Sequence, residues 1–288
     1  MTTLGSPLGL HALVWVGEWT PASAKHAISS TAGLGFDLIE IPLLDPNSVD
    51  TAMTRTLLEE HGLGAACSMG LDPAADVSSE DPTVVARGRD LLARAVDTTV
   101  AIGATDLCGV LYSVLAKYPA PISERSRGHV LESMAWLAER AAGSGLRVNL
   151  EVVNRYETNV VNSTRQMLDL IEETGVDLGV HLDTYHMNIE ENGFAAPVRE
   201  AFDAGRLRYV HVGESHRGYM GTGTVDFDTF CATLREVKYD GPVVFESFSN
   251  AVVHPTLSNN LAVWRNLWDD GEDLARHAYA FLTQRLRA

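Results

Sequence analysis

Short apolar runs rich in valine, leucine and isoleucine alternate along the chain with longer stretches whose apolar residues recur three and four apart. That alternation predicts strands followed by helices from one end to the other. The strand-like runs are Leu10–Trp15, Phe36–Leu44, Gly64–Leu71, Asp106–Tyr112, Arg147–Val153, Leu178–His186, Leu207–Glu214 and Pro242–Phe248. The clearest helices are Asp81–Gly103, through Val84, Val85, Leu91, Leu92 and Ala95, and Ser123–Gly145, through Val130, Leu131, Met134, Leu137 and Ala138. Gly35, Gly62, Gly103, Gly145, Gly175 and Gly205 each stand just before the next strand, where a left-handed helix cap is expected. Eight such units in 288 residues, with no glycine-rich dinucleotide fingerprint after the first strand, predict an α/β protein with one closed (β/α)8 TIM barrel over residues 1–288. The segment Leu257–Ala288 reads as two helices broken at Asp269, Asp270 and Gly271, the second an extra C-terminal helix on the outer ring. Trp264 and Trp268 are expected on one face of the first, packed against the barrel.

Composition narrows the partners rather than the fold. Aspartate and glutamate number 38 against 22 lysines and arginines, a formal charge of −16, so a polyanion meets repulsion before any contact forms. Nucleic acid is therefore excluded as the expected partner. Cys67, Cys108 and Cys231 are odd in number, far apart and without a CxxC pair, which fits a reducing cytoplasm and rules out a cysteine-rich zinc site. The N-terminal MTTLGSPLGLHALVW lacks the pattern of a signal peptide, and no stretch has the roughly 18 to 20 apolar residues of a membrane span.

In a barrel of this kind the chemistry lies at the C-terminal ends of the strands, so ionisable residues late in apolar strands are informative. Strands five to eight supply one each: Glu151 in RVNLEVV, Asp183 in LGVHLDTYHM, His211 in RYVHVGE and Glu246 in PVVFESF. Alternation places Glu151 with Asn149, and Asp183 with His181, on the inward face. Three carboxylates and an imidazole converging without a lysine or arginine at that end of the strands would be costly to bury. A divalent cation resolves the cost, and a set of three oxygens and one nitrogen suits Mn2+, Co2+ or Mg2+ better than a thiolate-type zinc site. His181 reads as a hydrogen-bonded core histidine one layer deeper. Glu157, His186 and Arg217 fall on the loops above the cluster and suit a polyhydroxylated substrate, while no glycine-rich turn offers a phosphate site.

The runs LEVVNRYETN, HLDTYHMNIEE, VHVGESHRG and YDGPVVFESF, with GFDLIEIPLL near the start and VWRNLW near the end, resemble the ketose 3-epimerases. These are the D-tagatose and D-allulose (D-psicose) 3-epimerases among the xylose isomerase-like barrels. The resemblance implies Glu151, Asp183, His211 and Glu246 as ligands to Mn2+ or Co2+, with Glu151 and Glu246 also the catalytic acid/base pair. It implies Glu157, His186 and Arg217 at the O1 and O2 end of a ketose. His11 falls where many relatives carry an aromatic residue against the sugar. Homodimers or homotetramers are implied too.

The chemistry of the reaction asks for the same parts. The hydrogen on C3 of a ketose is acidic because the C2 carbonyl takes up the charge, so an electrophile is needed at O2 and a base at C3. Inversion through a cis-enediolate needs a proton removed from one face and returned to the other, which two carboxyl groups can do without a nucleotide or redox cofactor. Two other readings use the same residues: an aldose–ketose isomerase of the hydroxypyruvate or xylose type, and a sugar-binding protein without turnover. A barrel endonuclease would need more metal ligands and a cationic surface.

Overall fold

The structure is a computed structural model that describes residues 4–287. Eight parallel strands close into a barrel in chain order: β1 (Leu8–His11), β2 (Leu38–Pro42), β3 (Gly64–Leu71), β4 (Asp106–Val114), β5 (Arg147–Glu151), β6 (Gly179–Asp183), β7 (Leu207–Val212) and β8 (Val243–Phe245). β8 pairs back onto β1. Around it run α1 (Pro21–Gly33), α2 (Thr51–His61), α3 (Pro82–Ile102), α4 (Glu124–Ala142), α5 (Thr164–Thr174), α6 (Thr184–Glu190), α7 (Ala195–Asp203), α8 (Phe227–Glu236), α9 (Pro255–Asn260) and α10 (Gly271–Leu286). The TIM barrel expected from the alternation is the fold. Among the described residues no helix is long and apolar enough to cross a membrane.

Local chemistry explains where elements start and stop. Thr20, Asp50, Asp81, Ser123, Ser163 and Asp226 each accept a backbone N–H in the first turn of the helix that follows. All six glycines placed before strands have positive φ; Gly103 at 87° lets the chain leave α3 and enter β4 within three residues. Several strands end earlier than their apolar runs. β6 stops at Asp183 because that carboxylate accepts the Tyr185 N–H and caps α6, so His186 is helical. β1 stops at His11, and residues 12–14 form a 3-10 turn.

The C-terminal segment differs from its expected form. Only Pro255–Asn260 is helical before Asp270, so Trp264 and Trp268 do not share a helix face. Trp264 is 71% exposed, whereas Trp268 is buried and donates its indole N–H to Ser247 Oγ at 2.8 Å. A helix of that length cannot carry both. α10 does take its place in the outer ring, beside α8 and under β1.

Three separate apolar bodies result among the described residues. The largest lies between strands and helices, a small plug of Leu38, Ala66, Cys108, Tyr209 and Val244 fills the barrel lumen, and Leu13, Phe248 and Val253 form a third. Gly9 of β1 leaves room for the plug, since a Cβ there would lie 2.7 Å from Val244 and 2.8 Å from Leu38. Side chains in a strand alternate, so the residue two further on faces the lumen one layer higher. Counting two on from Gly9, Leu38, Ala66, Tyr209 and Val244 gives His11, Glu40, Ser68, His211 and Glu246. The polar layer is thus dictated by the plug beneath it.

Candidate active site

Glu151 and Asp183 are the last residues of β5 and β6, His211 lies one from the end of β7, and Glu246 directly follows β8. Strand register sets Asp183 opposite His211 and Glu151 opposite His181. His211 Nδ1 lies 3.4 Å from Glu246 Oε1 and 3.8 Å from Glu151 Oε1. Asp183, His211 and Glu246 offer atoms within 4.8 Å of one another, and Glu151 joins Asp183 and His186 in an equally close group. All four side chains are buried or nearly so.

Such crowding moves protonation. Burial, with the Glu246 and Asp183 carboxylates nearby, pushes Glu151 well above the usual carboxylate range despite the pull of His211. Burial also acts to raise Asp183, but Arg217, His186 and His211 outweigh it and hold its carboxyl low. For His211 burial favours the neutral ring, yet Glu40 and Glu246 overcome this and raise its pKa to about 10.

The second set of residues is partly drawn into the first. His186, in the first turn of α6, has Nδ1 accepting the Asn154 N–H at 3.1 Å, which assigns its proton to Nε2. That Nε2 faces Glu151 and Asp183 at 3.6 Å each. Glu157 stands off, half-buried, tied by its Oε1 to Asn154 Nδ2 at 2.8 Å. Asn154 was not singled out in the sequence, because an asparagine in a loop carries no periodicity signal.

Arg217 sits deeper than a loop position suggests. Its φ of 62° turns the side chain down into the cluster, where Nη1 pairs with Glu246 Oε2 and with Asp183 Oδ2 at 3.3 Å. Its guanidinium stacks on Tyr185 at 3.7 Å and lies 4.9 Å from the Phe248 ring. The loop that carries it is built around Glu214, whose buried carboxylate accepts the N–H groups of Ser215, Gly221 and Val225. A cation absent from the C-terminal ends of the strands is therefore supplied from this loop.

His11 caps the turn after β1: Nδ1 accepts the Leu13 N–H at 3.2 Å, leaving the proton on Nε2. Nε2 faces Glu40 Oε1 and Ser68 Oγ at 3.3 Å each and Glu246 Oε1 at 4.0 Å. With that proton in place His11 offers a donor rather than a ligand atom. His181, expected to be hydrogen-bonded, has no hydrogen-bond partner for either ring nitrogen; it is wedged edge-on between Tyr209 and His211, whose hydroxyl and Nε2 point to Glu40.

The residue that the sequence reading passed over is Glu40, fully buried in β2. It interrupts LIEIP as Glu151 interrupts its own strand, and the same rule would have found it.

The donor set fits a divalent cation. His211 Nδ1 is buried without a hydrogen-bond partner and faces two carboxylates, so its lone pair and their oxygens can converge on one cation. Oxygens dominate, and no thiol is near enough to compete: the cysteines are free, and burial drives the Cys67 thiol up to about 12.

Residues 28–285 match the family of xylose isomerase-like TIM barrels. The chain is 52% identical over 282 residues to a ketose 3-epimerase of Arthrobacter globiformis, covering 98% of this chain and 97% of that protein. It is 52% identical over 278 residues to an L-ribulose 3-epimerase of Methylomonas sp. strain DH-1, covering 96% of each. A crystal structure of D-allulose 3-epimerase from Methylomonas sp., in complex with D-allulose, superposes with a TM-score of 0.95 at 51% identity over 99% of each chain.

Proposed function

The chain belongs to the xylose isomerase-like TIM barrel family and, within it, to the ketose 3-epimerases, and on that premise we propose that it inverts free ketoses at C3 by proton transfer between two carboxyl groups. The observation that supports this most is the approach of Glu151 and Glu246 to one buried nitrogen, His211 Nδ1, from strands with two others between them. Groups so separated can address opposite faces of one carbon. In one direction Glu246, ion-paired through Oε2 with Arg217, takes the C3 proton on Oε1, and Glu151 returns one from the other face. The roles exchange for the opposite epimer, with a cis-enediolate between.

Glu151, Asp183, His211 and Glu246 would hold a divalent cation, Mn2+ first and Co2+ or Mg2+ as alternatives. Bound there, it supplies Lewis acidity that makes the C2 carbonyl a better electron acceptor. His186 Nε2–H and the Arg217 guanidinium give donors toward the O1 and O2 end of the sugar, Glu157 an acceptor, and His11 Nε2–H a donor in place of an aromatic wall. No redox or nucleotide cofactor is called for, because no electrons leave the substrate. D-Fructose/D-allulose and D-tagatose/D-sorbose are the proposed pairs, and the relatives' names add L-ribulose. A homodimer or homotetramer in the cytoplasm, one barrel domain per chain, completes the proposal.

The test is to incubate the Mn2+-loaded protein with these ketoses and identify the products by chromatography, then repeat after exhaustive chelation. C3 epimers should form, disappear with the metal, and return with Mn2+ or Co2+. Aldose products from C1–C2 isomerisation, or full activity without metal, would overturn the reading.

A further inference from the structure

Glu40 lies in the middle of β2 with no exposed surface, across the lumen from β7. Its Oε2 accepts two hydrogen bonds, from His211 Nε2 at 2.6 Å and from the Tyr209 hydroxyl at 2.8 Å. An imidazole that ligates a metal gives up one of its two N–H protons for a lone pair, and the partner of one nitrogen decides the role of the other. With Nε2–H committed to Glu40, the lone pair falls to Nδ1. That is the atom facing Glu151 and Glu246, and it has no hydrogen-bond partner.

We infer that Glu40 is a positioning residue of the cation site: it locks His211 in the Nε2–H tautomer and ring orientation that leave Nδ1 free to ligate. The inference rests on the cation reading above and adds a residue to it. Two features set Glu40 apart from an ordinary buried acid. It reaches its partner across the barrel and not along one strand, so the contact depends on the lumen being built as it is. Its charge also stands directly behind the ligating ring, where it makes the imidazole a stronger donor to a metal. Tyr209 shares the same carboxylate oxygen but holds no ligand, so it separates the two roles Glu40 could have.

The experiment compares the full-length wild type, Glu40→Gln and Tyr209→Phe. Metal-free samples are first checked by circular dichroism and melting, and Mn2+ affinity is then read by counting free Mn2+ with electron paramagnetic resonance. Glu40→Gln should weaken Mn2+ binding roughly 10- to 100-fold, the range seen when such supporting groups are removed, while Tyr209→Phe should change it by less than about threefold. A second readout is the imidazole nitrogen spectrum of the Mg2+-loaded wild type, with the His211 signals identified by their loss in His211→Asn. The proton should be on Nε2 in the wild type. A folded Glu40→Gln that binds Mn2+ as tightly as the wild type, or a wild-type His211 carrying its proton on Nδ1, would overturn the inference. If Glu40→Gln fails to fold, a wild-type proton on Nδ1 still overturns the inference. If the wild type takes up no Mn2+ at all, the cation reading itself falls and this inference with it.

Discussion

At the N-terminal end of the barrel Asp106 is as deeply buried as any carboxylate at the mouth, yet it is fully matched. Arg147 grips it through Nε at 2.8 Å and Nη2 at 2.6 Å, Asn149 Nδ2 adds a bond at 2.9 Å, and the Thr105 hydroxyl another at 2.8 Å. At the C-terminal end Glu40, Glu151, Asp183 and Glu246 share Arg217, His211 and the neutral histidines, and His211 Nδ1 stays without a hydrogen-bond partner. The same residue types serve stability at one end, where two donors meet each carboxylate oxygen, and leave capacity for a ligand at the other, where they do not. Glu214 is an intermediate case: a buried carboxylate matched only by backbone N–H groups, holding the loop that brings Arg217 down.

The largest effects should fall at the mouth. Glu246→Gln keeps size and an oxygen but cannot take up a proton, so the turnover rate should drop by roughly 100- to 10,000-fold with the fold intact, and Glu151→Gln should behave alike. A variant retaining more than about a tenth of the rate, with normal metal content, would remove that glutamate from the acid/base pair. At the other end the consequence is thermodynamic: Asp106→Ala leaves the Asn149 and Thr105 donors unmatched, while half-exposed Arg147 turns to water, and should cost about 2 kcal/mol in denaturant unfolding. Its kcat should stay near the wild-type value while the protein is folded; a large fall would break the division between the two ends.

Glu214 should give a smaller effect that depends on pH. Burial acts to raise its pKa, but the N–H groups of Ser215, Val225, Gly221 and Gly223 outweigh this and hold it below the usual glutamate value. A depressed folded pKa means stability that is present above the unfolded value, about 4.3, and lost as pH falls through the folded one. Glu214→Gln should therefore be less stable than the wild type by about 2 kcal/mol at neutral pH, with the gap closing in acid. A gap independent of pH would show that the charge is not what organises the loop.

The sequence carried the barrel because each strand is an apolar run and a positive-φ glycine precedes most of them. It carried strand ends less well. Val152 and Val153 are buried beyond β5, so hydrophobicity continues where the ladder has stopped. Glu151, Asp183, His211 and Glu246 stood out because each breaks an apolar strand, and the lumen alternation brings them together. Glu40 broke its strand in the same way, but its role depends on a contact across the barrel that no local window contains. The depth of Arg217 depends on a left-handed backbone at a non-glycine residue, and the separate fates of Trp264 and Trp268 on a short helix end; neither is written in periodicity.

The central claim is that the proton leaving C3 and the one arriving there belong to different carboxyl groups. Turnover of D-fructose or D-tagatose in D2O, stopped before back-reaction, tests it through the position of deuterium in the epimerised product by NMR. The account predicts one deuterium per epimerised molecule, at C3. Deuterium at C1 or C2, or a C3 epimer formed without solvent label, would contradict it.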